Sequence, residues 1–380
     1  MRRRTVTPSP KPRVLVLFGG RSSEHAVSCV TAAGVLHAID RDKYDVVPVG
    51  IAKNGQWSLV SSDPSQWSLR SEVLPEVPVS SESVVLATAS NGGVTQELVV
   101  TSAGSMPQSL GGIDVVLPLL HGPFGEDGTL QGMLEMADVR YVGAGVLASA
   151  VGMDKHYMKV VFASAGLSVG PYEVFTDRDW TRNRSACLER ASRLGFPVFV
   201  KPARAGSSMG ISRATTPAEL ETAVETAREF DPKVIVEAGI VGREIEVAVL
   251  QGRGTDEPRT SLPGEIAVQP GAHEWYDFEA KYVDGSAAEL SCPADLPPDI
   301  SDRVRELAAV AFDALGTEGL SRVDFFYTPA GDLIINEINT MPGFTPISMY
   351  PQMWAKSGLT YTELIDELIE LALERKTGLR

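Results

Sequence analysis

Near its C-terminal end the chain sets two carboxylates against each other. Residues 322–327 read Arg-Val-Asp-Phe-Phe-Tyr and residues 333–343 read Leu-Ile-Ile-Asn-Glu-Ile-Asn-Thr-Met-Pro-Gly, with Thr-Pro-Ala-Gly-Asp between them. Two apolar runs around a Pro/Gly turn predict a hairpin. With Ala330 and Gly331 as the turn residues, outward counting puts Asp324 opposite Glu337 and Arg322 opposite Asn339, all on one face. Facing carboxylates repel and call for a compensating cation. Asp324, Glu337 and Asn339 supply hard oxygen donors, which suit Mg²⁺ rather than zinc, and Mg²⁺ held by few protein groups usually shares its shell with phosphates. A solvated strand face with incidental charges is the alternative reading of these residues alone.

At 380 residues, with 43% hydrophobic content, the chain has material for two or three globular domains. A formal net charge of -15 argues against nucleic-acid or anionic-membrane partners, so any phosphate site must be a local basic pocket. Cys29, Cys187 and Cys292 form no Cys-x-x-Cys pair, which excludes a cysteine zinc site or a disulfide framework and fits a reducing, cytoplasmic setting. The basic N-terminus runs into prolines, so residues 1–12 are expected to be a disordered tail and not a signal peptide. No apolar run reaches membrane-spanning length.

The apolar run Val14 to Phe18, Gly19-Gly20 and a periodic stretch from Ala26 to Ile39 predict strand, turn and helix, the opening of a parallel α/β sheet. Val46 to Ile51 and Ile113 to Leu120 are expected as further strands. Ligands in such sheets bind beyond the carboxyl ends of strands, which places Glu24 and His121 at one crevice. Taken alone, His121 reads as a loop histidine with a structural hydrogen bond. Residues 53 to 110 read as short strands and loops, and 126 to 137 as helix.

Lys155, at the start of a helix through Ala163, is by default an exposed lysine. Pro197 to Lys201 and a strand from Ile211 flank Pro-Ala-Arg-Ala-Gly-Ser-Ser-Met-Gly, a small-residue loop that can turn backbone N–H groups on an anion, with Ser207 and Ser208 adding hydroxyls. An ordinary hairpin tip is the plainer reading. Thr216-Pro217 opens a helix to about Phe230, and Val234 to Glu237 is a strand. The interruption at 238–242 before Glu244 to Leu250 looks like a hinge. Residues 263–295 read as a long irregular lid. Helices follow from Ser301 to Leu315 and after the capping box Thr360-x-x-Glu363.

Six segments in one order, 19–28, 121–132, 153–155, 201–210, 276–282 and 322–343, together resemble the D-alanine:D-alanine ligases of the ATP-grasp superfamily. The resemblance spans about residues 13 to 375. It implies an α/β, in part α+β, three-domain ATP-grasp architecture: an N-terminal parallel-sheet domain at 13–140, a central subdomain at 141–238, and a C-terminal domain at 239–380 carrying the metal site and the lid. It further implies ligation of two D-alanines through an acyl phosphate, with ATP and two Mg²⁺ (or Mn²⁺), a monovalent cation being possible, in a homodimer.

Carried over by position, Lys155, Lys201, Ser208, Glu237, Ala238, Ile240 and Glu244 bind ATP, and Asp324, Glu337 and Asn339 hold the metals. Glu24, Ser207, Tyr282, Arg322 and Gly343 serve catalysis, Glu24 by holding the first D-alanine's ammonium and Arg322 with the Gly343 N–H by stabilising an oxyanion. His121, Lys281 and Ser348 bind substrate, Ser348 the second carboxylate. Tyr282 favours an amine nucleophile over D-lactate by family analogy. Met341, Phe344 and Pro346 depart from the family's pattern and bear on loop geometry. Another acceptor, D-lactate or D-serine, and a nucleotide-binding module without turnover remain as other readings.

Overall fold

The computed structural model describes residues 11–68, 74–87, 96–206, 209–268 and 288–377. Its first sheet runs in the order Trp57–Leu59, Asp45–Ile51, Arg13–Gly19, Val115–Pro118, with the last three strands parallel and the first an antiparallel edge. Val14 to Phe18 are fully buried, as expected for a central parallel strand covered on both faces. Helix His25–Ala38 packs on that strand. Lys11 and Pro12, expected in the tail, are tied down: Lys11 Nζ donates to Arg41 O at 2.7 Å, and Asp45 N to Pro12 O at 3.0 Å.

A small antiparallel sheet, Glu82–Ala87, Gln96–Ser102 and Gln108–Ile113, lies beside the first. The single strand expected from Ile113 to Leu120 is thus two strands in two sheets, parted at Asp114, whose carboxylate accepts from Arg13 N at 2.6 Å. The helix expected at 126–137 is shorter, Thr129–Met136, because Glu126 and Asp127 close a turn before it.

A third, antiparallel sheet has the order Ser212–Ala214, Val198–Pro202, Lys233–Ala238, Tyr172–Thr176. Helices Asp177–Ser192 and Pro217–Arg228 cover it. The fourth sheet contains Ala288–Ser291, Gly264–Val268, Arg243–Leu250, Leu320–Tyr327 and Leu333–Asn339, with Arg259–Thr260 on the side of Arg243–Leu250. The segment expected to be irregular from 263 to 295 is therefore strand at both flanks, paired Glu265 to Ser291 through Val268 to Ala288. Residues 269–287 within it lie outside the described ones.

One apolar cluster joins the first sheet to the end of the chain. Val14, Val16 and Phe18 share it with Tyr350, Leu364, Leu368 and Ile369 of helices Met349–Lys356 and Tyr361–Glu374. Burying each such side chain contributes about 1.5–3 kcal/mol. The Thr360/Glu363 capping box starts the last helix as expected, with Glu363 Oε2 accepting from Thr360 N at 2.9 Å. Helices Val146–Met153, Asp177–Ser192 and Met349–Lys356 were not anticipated. Among the described residues no helix is long and apolar enough to cross a membrane.

Candidate active site

The third and fourth sheets, helix His25–Ala38 and the loops bearing Glu24 and His121 border a cleft of about 1060 Å³. The hairpin of strands Leu320–Tyr327 and Leu333–Asn339 forms its floor, with Asp324 paired to Glu337 and Arg322 to Asn339. The turn differs from expectation. Thr328 and Asp332 close a three-residue loop, Pro329-Ala330-Gly331, with Thr328 N donating to Asp332 O at 2.9 Å and Gly331 at φ +90°. That turn type needs a left-handed residue at its end, which glycine supplies. The pairing then runs Tyr327 to Leu333 and Phe325 to Ile335, until Asn336 is bulged out and the register shifts by one. Without that extra residue Glu337 would turn to the core face.

On the neighbouring strand Glu246 stands opposite Asp324, so three carboxylates line up across three strands. Arg322 answers them. Its Nε and Nη2 donate to Asp324 Oδ1 and Oδ2 at 2.7 Å each, and Nε lies 3.2 Å from Glu246 Oε1. Burial works against the guanidinium charge, but Asp324 and Glu246 outweigh it and raise its pKa. Asn339 Nδ2 donates to Asp324 Oδ2 at 3.1 Å. Among the described residues no three His, Cys, Asp or Glu side chains converge as a metal cage. The donor set of two carboxylates and an amide fits a hard cation that completes its shell with water or phosphate oxygens.

Three lysines reach the cleft, Lys155 and Lys159 from a helix packed against strand Leu333–Asn339 and Lys201 from the third sheet. Lys155, capped into its helix by Asp154, is only 13% exposed at its side chain, against the default of an exposed helix lysine. Its Nζ donates to Ala205 O at 3.2 Å and lies 3.6 Å from Glu337 Oε2. Lys201 and Lys159 grip Glu237 at 2.5 and 2.8 Å. Burial opposes ionisation of Glu237, yet the two ammoniums prevail and hold its carboxyl below the ordinary range. Glu237, Ala238 and Ile240 line the cleft where the third sheet passes into the fourth, with Glu244 beside them.

On the N-terminal side, Ser22 Oγ donates to His121 O at 2.7 Å, which brings the Glu24 and His121 loops together as expected. The Glu24 carboxylate is buried so close to Gly122 that a Cβ there would stand 2.3 Å from Oε2, and Gly122 has φ +72°. Only glycine meets both demands. The His121 ring sits with Nδ1 3.1 Å from Met341 O and Nε2 3.5 Å from Thr31 Oγ1, and burial lowers its pKa. Glu126 accepts from Gly122 N at 2.6 Å and Met341 N at 3.1 Å. Burial first, then the Glu24 charge, pushes its carboxyl up to about 8 against the pull of those two N–H groups. Ser348 begins helix Met349–Lys356 without capping it, and its Oγ pairs with Thr345 Oγ1 at 2.7 Å.

Family models described as D-ala D-ala ligase N-terminus and C-terminus match residues 13–144 and 161–370. The chain belongs to the D-alanine–D-alanine ligase family. A D-alanine–D-alanine ligase from Pseudarthrobacter chlorophenolicus is 70% identical over 371 residues, covering 98% of this chain and 96% of the relative. The solved D-alanine–D-alanine ligase from Coxiella burnetii superposes with TM-score 0.78 at 34% identity, over 97% of this chain and 95% of that one. A D-Ala:D-Ser ligase from Enterococcus faecalis gives TM-score 0.79 at 34% identity, over 95% and 99%. The mixed α/β architecture is the ATP-grasp fold these ligases share.

Every expected site residue of this ligase that falls among the described ones lines the one cleft, from Glu24 and His121 through Lys155 and Lys201 to Gly343 and Ser348. Ser207, Ser208, Lys281 and Tyr282 lie outside the described residues. Sequence reasoning missed Lys159, Glu246 and Glu126. Lys159 follows Lys155 by one helical turn, and Glu246 shares a strand face with Glu244, so both were open to periodicity. Glu126 stands inside the run His121 to Gly128, but nothing local shows that its partner is Met341.

Proposed function

We propose that the cleft joins two D-alanine molecules to D-alanyl-D-alanine with ATP as the phosphoryl donor, in the cytoplasm and for cell-wall precursor synthesis. The observation that carries this reading is the meeting, in one cleft, of phosphate-side lysines, a hard-oxygen row and an amino-acid side formed by Glu24 and Ser348.

A carboxylate is a poor acyl donor, so the first D-alanine must be activated. Its carboxylate oxygen attacks the γ-phosphorus, the bond to the β–γ bridging oxygen breaks, and ADP leaves. Lys155 and Lys201 neutralise phosphate charge, and Glu237, Ala238, Ile240 and Glu244 seat the nucleoside. Ser207 and Ser208 are assigned to the same phosphate loop. Asp324, Glu337 and Asn339 would hold two Mg²⁺ ions, which when bound supply charge neutralisation at the transferring phosphoryl group.

Glu24 holds the first ammonium, with His121 beside it. Ser348 and Lys281 receive the second carboxylate at a helix N-terminus, a favourable place for an anion. The second amine, once deprotonated, attacks the acyl carbon, and phosphate leaves from the tetrahedral adduct. Arg322 and the Gly343 N–H stabilise its oxyanion. By family analogy Tyr282 selects the amine nucleophile. The exposed apolar side chains Met133, Met136 and Leu147 on two adjacent helices support a homodimer.

The similarity to a D-Ala:D-Ser ligase keeps D-serine as a second acceptor. Incubation with Mg²⁺, ATP and D-alanine tests the reading: one dipeptide per phosphate released supports it, and phosphate without dipeptide counts against it.

A further inference from the structure

We propose that Glu126, together with His121, is a positioning residue that fixes the Gly343 loop from the N-terminal sheet and so couples the first-substrate side of the cleft to the oxyanion donor. The inference rests on the ligase reading above.

Both polar groups of Met341 are held by one distant loop. Its N–H donates to Glu126 Oε1 and its carbonyl lies at His121 Nδ1, each at 3.1 Å, across 215 and 220 residues of sequence. Two bonds of opposite sense on one residue fix its position and also the tilt of its peptide planes, which a single bond leaves free. Pro342 follows, with φ locked by its ring, so the setting of Met341 passes to Gly343 with little slack. Beyond Gly343 the loop is tied to other elements: Tyr361 Oη donates to Phe344 O at 2.7 Å, and Thr345 N to Ser348 Oγ at 3.1 Å.

The anchor is itself braced. Glu126 Oε2 takes the Gly122 N–H at 2.6 Å, Asp127 accepts from Phe124 N at 2.9 Å and Thr129 N at 3.0 Å, and Ser22 holds His121 O at 2.7 Å. That last bond runs to the segment bearing Glu24. A shift of the first-substrate loops is thereby transmitted to the residue two positions before Gly343.

The consequence is specific to the second step. A displaced Gly343 N–H slows amine attack but leaves phosphoryl transfer to the first D-alanine in place. The stalled acyl phosphate then escapes into solution, where water adds at its acyl carbon, the bond to the phosphate oxygen breaks, and D-alanine and phosphate are released without a peptide bond.

The test is the phosphate-to-dipeptide ratio of the full chain with Mg²⁺, ATP and D-alanine, for wild type, Glu126→Ala and Glu126→Gln. Wild type is expected at about one, and E126A at about five or more, as for a donor displaced by a fraction of an ångström. E126Q keeps one oxygen acceptor of two and is expected between them. Hydroxylamine should trap D-alanine hydroxamate from E126A at a rate near that of its phosphate release. A ratio unchanged in E126Q, and in E126A if it folds, overturns the proposal whatever the loss of rate or stability. Wild type releasing phosphate without dipeptide would instead sink the ligase reading, and the proposal with it.

Discussion

Asp324 faces Glu337 because two irregularities cancel. The turn holds three residues where counting assumed two, and the bulge at Asn336 restores the lost position. The expected pair is right, while the turn behind it is not. The bulge also makes a contact of its own, since the Asn336 carbonyl accepts from Lys159 Nζ at 3.3 Å and ties this strand to the helix that carries Lys155 and Lys159.

If this row holds the metal, Asp324→Asn or Glu337→Gln should lower turnover by about 100-fold or more at saturating Mg²⁺. Thermal unfolding of Glu337→Gln should move by only a few degrees, while Asp324→Asn also weakens the buried pair with Arg322 and should lower it further. Steady-state phosphate release together with a melting curve checks this, and unchanged turnover would refute the metal assignment.

Lys159 is 4% exposed at its side chain and pairs with Glu237 at 2.8 Å. Lys159→Met leaves Glu237 with Lys201 as its remaining lysine partner and should cost about 3 kcal/mol in urea unfolding, the scale for breaking a buried ion pair. A loss below about 0.5 kcal/mol, the scale of an exposed pair, would show the interaction to be solvent-screened.

Gly122→Ala forces a side chain into the left-handed region, at about 1–2 kcal/mol, and places a Cβ on the Glu24 carboxylate. The KM for the first D-alanine should rise by about tenfold or more, with a smaller change in the KM for ATP. Equal changes in both constants would indicate a general loss of structure.

Glu126 sets a pH dependence. Its folded pKa is raised from 4.5 to about 8, so between those values the unfolded chain has released a proton that the folded chain retains. Stability falls as pH rises through that window. Glu24 and Glu337 are the like charges that contribute, after burial. Glu126→Gln has no such proton to lose, so whatever its constant offset, wild type should lose stability relative to it from about pH 5 to pH 8. Parallel melting-temperature curves over that range would contradict the shift.

Much of the fold was legible where burial and local chemistry agree. Val14 to Phe18 reads as a covered parallel strand, and Thr360 with Glu363 as a helix start. Helix Asp177–Ser192 was not legible, because it buries only Trp180, Cys187 and Ala191 and is interrupted by a kink at Asn183. The strand break at Asp114 depends on a bond to Arg13, 101 residues away. Site residues followed the same division. The Asp324/Glu337 face shows in strand alternation, but Lys155 looks exposed until another sheet covers it, and the bond from Met341 to Glu126 exists only once the sheets have come together.

The most direct test of the account is a competition assay with purified chain, Mg²⁺, ATP, D-alanine, D-lactate and D-serine at neutral pH, with phosphate followed and products identified by mass. D-alanyl-D-alanine as the dominant product, at one per phosphate, is the predicted result. A dominant ester would contradict the acceptor assignment and the role given to Tyr282, and dominant D-alanyl-D-serine would contradict the acceptor assignment alone. Bound ATP without phosphate release would contradict the enzyme reading itself.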